Sequence, residues 1–277
     1  MELRNKIIEG DCLEVMAWIE DQSVDMILCD LPYGVTHNRW DTVIDLGKLW
    51  EQYKRIIKPR GVIALTGQHA FSARLIMSNL AWFKYKIVWI KASAGNFLNA
   101  QKQPLRRHED VCLFYQEQPL FQPEKTNGKP YDKGVRKGDV TGNYNAFKTQ
   151  PIRNIHGKRF PTDVLFFEEE QIADWVYTKV ASQADGAHHP TQKPVSLGRW
   201  LIRTYTKAGQ LVLDNACGSG SFLVAAILER RNFIGIEKNV ASGHKGKVVD
   251  YVSISRRRVA HAFMQATQSD LFNEEEF

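Results

Sequence analysis

A strand–loop–helix–strand unit near the carboxyl-terminal end of the chain most constrains the fold. The apolar residues 211–213 predict a buried strand, Gly218-Ser219-Gly220 predicts a tight turn, and residues 222–230 predict a helix. A second strand, residues 232–236, follows and ends at the acid Glu237. Strands joined through a helix lie parallel, and parallel sheets carry helices on both faces. The unit therefore predicts an α/β fold.

The loop and the acid of this unit suit a nucleoside ligand. Glycines let the backbone approach a ligand at the start of a helix, and an acid about 20 residues further on can accept hydrogen bonds from ribose hydroxyls. The third glycine of pyrophosphate binders is missing, because Ser221-Phe222-Leu223 follows Gly220. A nucleoside without phosphates fits better. The alternative is a plain glycine turn with Glu237 as a solvated strand end.

A second chemical signal is Asp30-Leu31-Pro32-Tyr33, directly after the apolar residues 24–29. The apolar run predicts a buried parallel strand that delivers these residues to the carboxyl edge of a sheet. The Asp30 carboxylate and the Leu31 carbonyl can accept both N–H bonds of an amino group, while Tyr33 stacks on a flat ring. Pro32 restricts the turn that aims them. The tetrapeptide predicts a nucleobase pocket, with an ordinary Asp-x-Pro turn and a buried tyrosine as the alternative.

Together the two motifs resemble the amino-methyltransferases of DNA, which move a methyl group from S-adenosyl-L-methionine to an exocyclic nitrogen of adenine or cytosine. Two more matches support the resemblance: Glu9-Gly10-Asp11-Cys12-Leu13 before the catalytic strand, and His189-Pro190-Thr191-Gln192-Lys193-Pro194 before the glycine loop. The catalytic motif precedes the cofactor loop, as in the circularly permuted β group. The four elements bracket residues 9–239.

Two departures from the family pattern are visible. Leu31 replaces the usual first proline of the tetrapeptide, but it supplies the same backbone carbonyl, so catalysis should survive. In the cofactor loop Asn215-Ala216-Cys217 replaces Pro-Phe-x and Ser221 replaces Thr. These exchanges retain Asp214, Gly218 and Gly220.

The rest of the chain predicts the other elements of the same domain. Further strands are expected at residues 24–29, 61–66, 85–90 and 111–115, with helices at residues 46–57, 71–80 and 251–266. We expect a doubly wound, mostly parallel, Rossmann-like methyltransferase sheet with an inserted target-recognition region. Its cofactor and base sites should lie side by side at the carboxyl edge.

The first residue of the tetrapeptide indicates the target base. An exocyclic amino nitrogen is a poor nucleophile, and an anionic acceptor such as Asp30 activates it more strongly than a serine hydroxyl does. Within the family, Asp here usually accompanies N6 of adenine and Ser accompanies N4 of cytosine. The resemblance thus implies direct in-line attack by N6 of a flipped adenine on the sulfonium methyl, with N4-cytosine as the alternative and an RNA base or protein amide as weaker ones. The expected catalytic residues are Asp30, Leu31, Pro32 and Tyr33.

The resemblance also assigns a cofactor site. Asp11 would accept from the adenine amine of S-adenosyl-L-methionine, Glu237 would hold the ribose, and Lys193 would lie near the methionine end. Asp11 can alternatively cap a helix that begins at Cys12. The chemistry requires no metal. The expected cofactor contacts are Asp11, Cys12, Asp30, Thr191, Lys193, Asp214, Ala216, Cys217, Gly218, Gly220, Ser221 and Glu237.

Cysteine and histidine positions disfavour other chemistries. None of Cys12, Cys29, Cys112 and Cys217 follows a proline, as the nucleophile of C5-cytosine enzymes typically does, and no pair has Cys-x-x-Cys spacing. Scattered thiols fit a reducing cytoplasm. His188-His189 before a proline predicts loop structure rather than a metal site.

The charge distribution favours double-stranded DNA as the partner. The net charge is +6 and the pI is about 9.0. Basic and aromatic residues concentrate between Glu117 and Asp163. The resemblance implies that this stretch belongs to a target-recognition insert, residues 117–185, between a catalytic half, residues 1–116, and a cofactor-binding half, residues 186–266. A solvated loop without specificity is the alternative. The expected DNA contacts are Arg106, Arg107, Lys133, Arg136, Lys137, Arg153, Lys158 and Arg159.

An acidic tail, residues 267–277, contains Gln268-Ser269-Asp270-Leu271-Phe272, which resembles the bacterial sliding-clamp-binding peptide. An extended tail could place Leu271 and Phe272 in a groove of that partner, whereas a frayed terminus is the default. A homodimer is left open, since no residue patch requires one. We expect a cytoplasmic location, because the sequence has neither a signal-peptide run nor an apolar stretch long enough to cross a bilayer.

Overall fold

The computed structural model describes residues 3–35, 41–136, 138, 149–167, 192–239 and 249–274. The strands in these ranges are β1 (Lys6–Glu9), β2 (Val24–Cys29), β3 (Ile57–Gly67), β4 (Phe83–Gly95), β5 (Arg106–Phe114), β6 (Thr126–Asn127), β7 (Tyr131–Arg136), β8 (Gln150–Asn154), β9 (Lys158–Arg159), β10 (Val164–Phe166), β11 (Leu211–Asp214) and β12 (Asn232–Glu237). The helices are α1 (Cys12–Met16), α2 (Leu46–Ile56), α3 (His69–Ser78), α4 (Val195–Tyr205), α5 (Ser221–Leu228) and α6 (Tyr251–Glu274). Phe97–Asn99 forms a short 3-10 helix.

One large sheet organises the chain, with its strands in the order β1–β12–β11–β2–β3–β5–β4–β10. Neighbouring strands are parallel except at β5, which runs antiparallel to both β3 and β4. The doubly wound, mostly parallel Rossmann-like sheet that the sequence predicts is therefore confirmed.

Strand β2 shows why the sheet is covered on both faces. All six of its residues are buried, as expected for a central parallel strand. Met26 and Leu28 belong to one core cluster with residues of α4 and α5, whereas Ile27 and Cys29 belong to another with residues of α2. Because side chains alternate along a strand, this single run anchors a helical layer on each side.

The sequence of helix α2 explains both where the helix begins and which face is buried. The Asp45 side chain accepts a hydrogen bond from the Lys48 N–H at 3.1 Å, which satisfies an otherwise unpaired donor of the first turn. Apolar residues recur at helical spacing and form its buried face: Leu46, Leu49, Trp50, Tyr53 and Ile56.

Several elements differ from the sequence-based expectation. Strands β1 and β10 of the large sheet and the short strands β6 to β9 were not predicted, and β3 begins at Ile57 rather than at residue 61. Helix α6 continues to Glu274, past the predicted end at residue 266. The expected extended tail is thus corrected: the backbone of Gln268, Leu271 and Phe272 is helical, because this stretch contains no glycine or proline that would end the helix.

The chain divides into two compact units. The larger comprises Met1–Gln122 and Asp163–Phe277, and the smaller comprises Pro123–Thr162. The expected insert, residues 117–185, has wider bounds than the smaller unit. At its start, Gln122 belongs to the larger unit, where its backbone N–H donates to the Thr204 carbonyl at 2.8 Å. Towards its end, β10 joins the large sheet.

The smaller unit is built from two antiparallel strand pairs, β6 with β9 and β7 with β8. Cations pack on its aromatic rings: the Lys125 ammonium lies 4.4 Å from the centre of the Phe160 ring, and the Arg159 guanidinium lies 4.8 Å from that of Tyr131. In the described part of the chain as a whole, no helix is both long and apolar enough to cross a bilayer.

Candidate active site

The candidate site lies at the carboxyl ends of β2 and β11, which pair in parallel. From β2 the chain continues to β3 on one side, and from β11 it continues to β12 on the other. Open α/β sheets bind ligands in the crevice at such a reversal of strand order. A cavity of about 450 Å³ occupies this position.

The cavity brings distant parts of the sequence together. All four tetrapeptide residues, Asp30, Leu31, Pro32 and Tyr33, line it. Most of the expected cofactor contacts also line it: Asp11, Cys12, Asp30, Lys193, Asp214, Ala216, Cys217, Gly218, Ser221 and Glu237. Gly220 belongs to the same loop but does not line the cavity, and Thr191 lies outside the described residues.

Asp30 is held by three donors. Its Oδ1 accepts hydrogen bonds from the Tyr33 hydroxyl at 2.7 Å and from the Thr66 hydroxyl. Its Oδ2 accepts from the Lys193 ammonium at 2.7 Å. Sequence reasoning missed Thr66, although a polar residue that closes the apolar run of β3 at the same sheet edge is a usable signal.

Tyr33 presents a neutral phenol. Burial raises the pKa of its hydroxyl well above the ordinary value, and the negative charge of Asp30 raises it further, so the hydroxyl remains a donor. The ring packs against Phe71 with a centroid distance of 4.7 Å, and the Lys193 Nζ lies 5.5 Å from the Tyr33 centroid.

Lys193 is a buried cation between two acids, 6% exposed. Its Nζ lies 2.7 Å from Asp30 Oδ2 and 3.2 Å from Glu109 Oε2, and the Lys91 Nζ lies 3.1 Å from Glu109 Oε1. Burial alone would lower the pKa of the Lys193 ammonium, but the two carboxylates outweigh burial and raise it. Sequence reasoning missed Glu109, because only the register of β5 distinguishes it from the adjacent Asp110.

The glycine loop is pinned by the acid of the following strand. Glu237 Oε2 accepts from the Gly218 N–H at 2.7 Å, and Oε1 accepts from the Asn239 N–H at 3.1 Å. Burial raises the pKa of Glu237, which these two N–H groups partly offset. Gly220 has φ +82°, and a Cβ there would lie 2.9 Å from the Ser255 Cβ. Both the backbone conformation and the lack of space therefore disfavour a side chain at this position.

A buried arginine supports the same loop from α6. The Arg258 Nη1 donates to the Ser219 carbonyl at 2.9 Å, to the Ser219 hydroxyl at 2.9 Å and to the Ser221 hydroxyl at 3.0 Å. Sequence reasoning missed Arg258. Its helical spacing from the buried Tyr251 and Ser255 was the available signal.

Asp11 caps α1, the alternative that its sequence context left open. Its Oδ1 accepts from the Leu13 N–H at 3.0 Å, and its Oδ2 pairs with the Lys238 ammonium at 2.8 Å. The hydrogen bond from Lys238 lowers the pKa of Asp11. Because Asp11 also lines the cavity, a contact with the cofactor adenine stays a prediction.

The expected DNA contacts fall into separate groups. Arg106 Nη1 donates to the Gln68 side chain at 2.8 Å, and Gln68 lines the cavity. In the smaller unit, Arg153 pairs with Asp132 at 2.8 Å. Arg107, Lys133 and Lys158 are exposed and Arg159 is half-buried, whereas the side chain of Arg136 and all of Lys137 lie outside the described residues.

The described residues contain no group of three or more His, Cys, Asp or Glu side chains that could hold a metal ion. All four cysteines are buried free thiols. Burial raises the pKa of Cys12, which lines the cavity, to about 11, so its thiol is protonated at neutral pH. His188 and His189 lie outside the described residues.

Two type II methyltransferases are similar in sequence. M.BglII of Bacillus subtilis is 26% identical over 264 residues, an alignment that covers 84% of this chain and 65% of M.BglII. M2.MboI of Moraxella bovis is 23% identical over 276 residues, with 91% of this chain and 86% of that protein covered. The chain thus spans less than two thirds of the length of M.BglII.

Solved structures share the fold. The cytosine-N4-specific PvuII DNA methyltransferase superposes with a TM-score of 0.64 at 14% identity, covering 95% of this chain and 92% of that one. The M1.HpyAVI–SAM complex superposes with a TM-score of 0.58 at 18% identity, covering 92% of this chain and 98% of that one. In addition, the sequence pattern of N6_N4_Mtase, a family of DNA methylases, matches residues 24–241. The chain belongs to this N6_N4_Mtase family of DNA methylases.

Proposed function

We propose that this protein transfers a methyl group from S-adenosyl-L-methionine to N6 of an adenine flipped out of duplex DNA. The observation that carries the proposal is one cavity, which is lined both by the Asp30 to Tyr33 tetrapeptide and by the Gly218 loop with Glu237. The order of these motifs further supports membership of the permuted β group. Each part of the cavity has a role in this reaction.

The residues present fit the cofactor. A cavity of about 450 Å³ is of the size that holds small organic ligands. Glu237 can accept from ribose hydroxyls, and the glycine backbone leaves room for the nucleoside. When bound, S-adenosyl-L-methionine supplies the electrophilic methyl group. Lys193, whose ammonium contacts Asp30 and Glu109, would lie near the methionine end.

The tetrapeptide would hold the base. Asp30 and the Leu31 carbonyl accept the two N–H bonds of the amino group, which orients its lone pair toward the methyl group. Tyr33 stacks on the base and returns about 1–3 kcal/mol of the few kcal/mol that flipping costs. Positioning and electrostatics supply the acceleration without a covalent intermediate.

The preference for adenine rests on the anionic Asp30. The second candidate is N4 of cytosine, which presents the same amino group beside a ring acceptor, and the PvuII enzyme with a similar fold is cytosine-N4-specific. Analysis of the methylated product decides between them.

The direct test incubates the protein with labelled S-adenosyl-L-methionine and unmethylated plasmid DNA, and then identifies the labelled nucleoside. N6-methyladenine is expected. Detection of N4-methylcytosine would contradict adenine as the target and favour cytosine, and unlabelled DNA would contradict both candidates.

Asp30→Ala should lower the rate about 10²-fold or more while cofactor affinity is retained. The matched control is Asp21→Ala, which removes an exposed aspartate paired with Arg55.

DNA contacts are proposed on the hairpin of β4 and β5. Pairing of β3 with β5 ends at Gly67 opposite Asp110, whereas β4 and β5 remain paired to Gly95 opposite Arg106. The hairpin therefore projects beyond the sheet edge that carries the cavity. Its tip exposes Phe97 and Leu98, and Arg106 and Arg107 flank it. Cations for phosphates beside apolar side chains for bases are a combination that DNA-deforming proteins use.

A further inference from the structure

Four alternating charges form a chain that reaches the cavity, and three of them line it, including Asp30, the residue proposed to bind the amino group. The chain runs from Lys91 to Glu109, Lys193 and Asp30, with separations of 3.1, 3.2 and 2.7 Å between charged atoms. Glu109 and Lys193 are both buried, so solvent screens these contacts little. Displacement of one charged group in this chain therefore changes the electrostatic energy of its neighbours.

The three donors on Asp30 restrict how the amino group of a base can bind. Oδ1 of Asp30 already accepts from Tyr33 and Thr66, and Oδ2 accepts from Lys193. An amino group that approaches Asp30 must share an oxygen with one of these donors. Lys193 is the competitor with the largest effect, because its positive charge withdraws the electron density that would activate the amine.

Lys193 cannot simply leave Asp30. A buried ammonium without a carboxylate costs several kcal/mol, so a displaced Lys193 needs a second anionic partner within reach. Glu109 Oε2 is that partner at 3.2 Å, and Lys91 holds the other oxygen of the same carboxylate.

We propose that Glu109 is a positioning residue, which takes over the Lys193 ammonium when the amino group of the target base replaces it on Asp30. The inference rests on the proposed function and deepens it. In the free protein Lys193 neutralises Asp30. In the DNA complex Glu109 retains Lys193, and Asp30 faces the amine as an uncompensated anion.

The fold explains why Glu109 can act here and its neighbour cannot. Alternate residues of a strand point to opposite faces, so Glu109 faces Lys91 and Lys193 whereas Asp110 pairs with Lys86 at 3.0 Å. The two acids are adjacent and similarly buried. Asp110 therefore provides a matched control.

The test compares wild-type protein, Glu109→Gln and Asp110→Asn in methyl transfer to plasmid DNA with labelled cofactor. Glu109→Gln preserves shape but removes the anion that receives Lys193, so kcat should fall about 10-fold to 100-fold. Its affinity for S-adenosyl-L-methionine and its KM for DNA should stay within about twofold, because the effect arises after binding. Asp110→Asn should keep the wild-type kcat.

The possible results separate the two proposals. An inactive wild-type protein contradicts the proposed function, whereas an active wild type with an equally active Glu109→Gln overturns only the role of Glu109. A crystal structure supplies a second measurement, should Glu109→Gln fail to fold. It would contain wild-type protein, S-adenosylhomocysteine and a short duplex with the sequence methylated in the plasmid assay. Lys193 Nζ is expected on Glu109 and away from Asp30, and a retained Lys193–Asp30 contact beside a bound base overturns the inference.

Discussion

Neighbouring groups, rather than burial alone, determine the charge state and the contacts of three aspartates in or next to the large sheet. Asp30 faces the Lys193 ammonium, and Asp25 pairs with Lys58 at 2.7 Å. Asp214 lies in the same sheet and is almost fully buried, but a thiol and a backbone N–H are its stabilising partners. Burial raises the pKa of Asp214 to about 8, although Cys29 and the Ala216 N–H lower it. Asp214 is thus mostly protonated at neutral pH.

The raised pKa makes stability depend on Asp214. An unfolded aspartate titrates near 3.8, so between pH 4 and pH 8 the unfolded chain releases a proton that the folded chain keeps, and folding loses stability as pH rises. Asp214→Asn removes this dependence and retains an oxygen for the Ala216 N–H. Its free energy of unfolding relative to wild type should rise from pH 4 to about pH 8 and then level off, measured by urea denaturation. A difference independent of pH would contradict the assignment, and Asp21→Asn serves as the exposed control.

At the scale of elements, features encoded by residues adjacent in sequence could be predicted, whereas those that depend on tertiary packing could not. Strand β2 and the turn around Gly218 follow from apolar runs and glycines that adjoin in sequence. Thr66, Glu109 and Arg258 reach the site only through strand order, strand register and helix packing, which a single sequence does not specify. Strand β10 was missed for the same reason, because three residues gain their strand geometry from pairing with β4.

The hairpin of β4 and β5 is an element whose tip has no packing role in the fold described. Phe97 is 74% exposed and Leu98 is 83% exposed. Changing both to serine should leave the melting temperature and cofactor affinity unaltered but weaken DNA binding about fivefold or more, since apolar contacts with bases are lost. Titration of labelled duplex DNA measures the affinity.

The control for the Phe97 and Leu98 double variant changes Met77 and Leu80 to serine. These residues are also largely exposed, 69% and 58%, and they lie at the end of α3 and just beyond it. Loss of surface hydrophobicity alone would weaken DNA binding equally in both double variants. Equal affinities would therefore remove the hairpin from the DNA-binding surface.

At the scale of the whole molecule, the sheet separates chemistry from stability. The carboxyl edge carries the cavity, whereas the amino ends of β2 and β11 are joined by Asp25. Asp25 accepts from the Lys58 ammonium at 2.7 Å, from the Gln210 amide at 2.8 Å and from the Leu211 N–H at 2.9 Å. These contacts tie together three consecutive strands of the large sheet without touching the cavity lining.

The separation predicts opposite phenotypes at the two edges. Asp25→Ala leaves the Leu211 N–H and the Gln210 amide without their acceptor, so the free energy of unfolding should fall by about 2–3 kcal/mol. Below the melting transition, cofactor affinity and kcat should stay within about twofold of wild type. Asp30→Ala should lower kcat and leave cofactor affinity and the free energy of unfolding nearly unchanged, because the partners of Asp30 lie in the site and do not join strands at the amino edge. Denaturant titration and methyl-transfer assays on both variants measure the two effects, and a loss of kcat in folded Asp25→Ala would show that the amino edge also positions the catalytic strand.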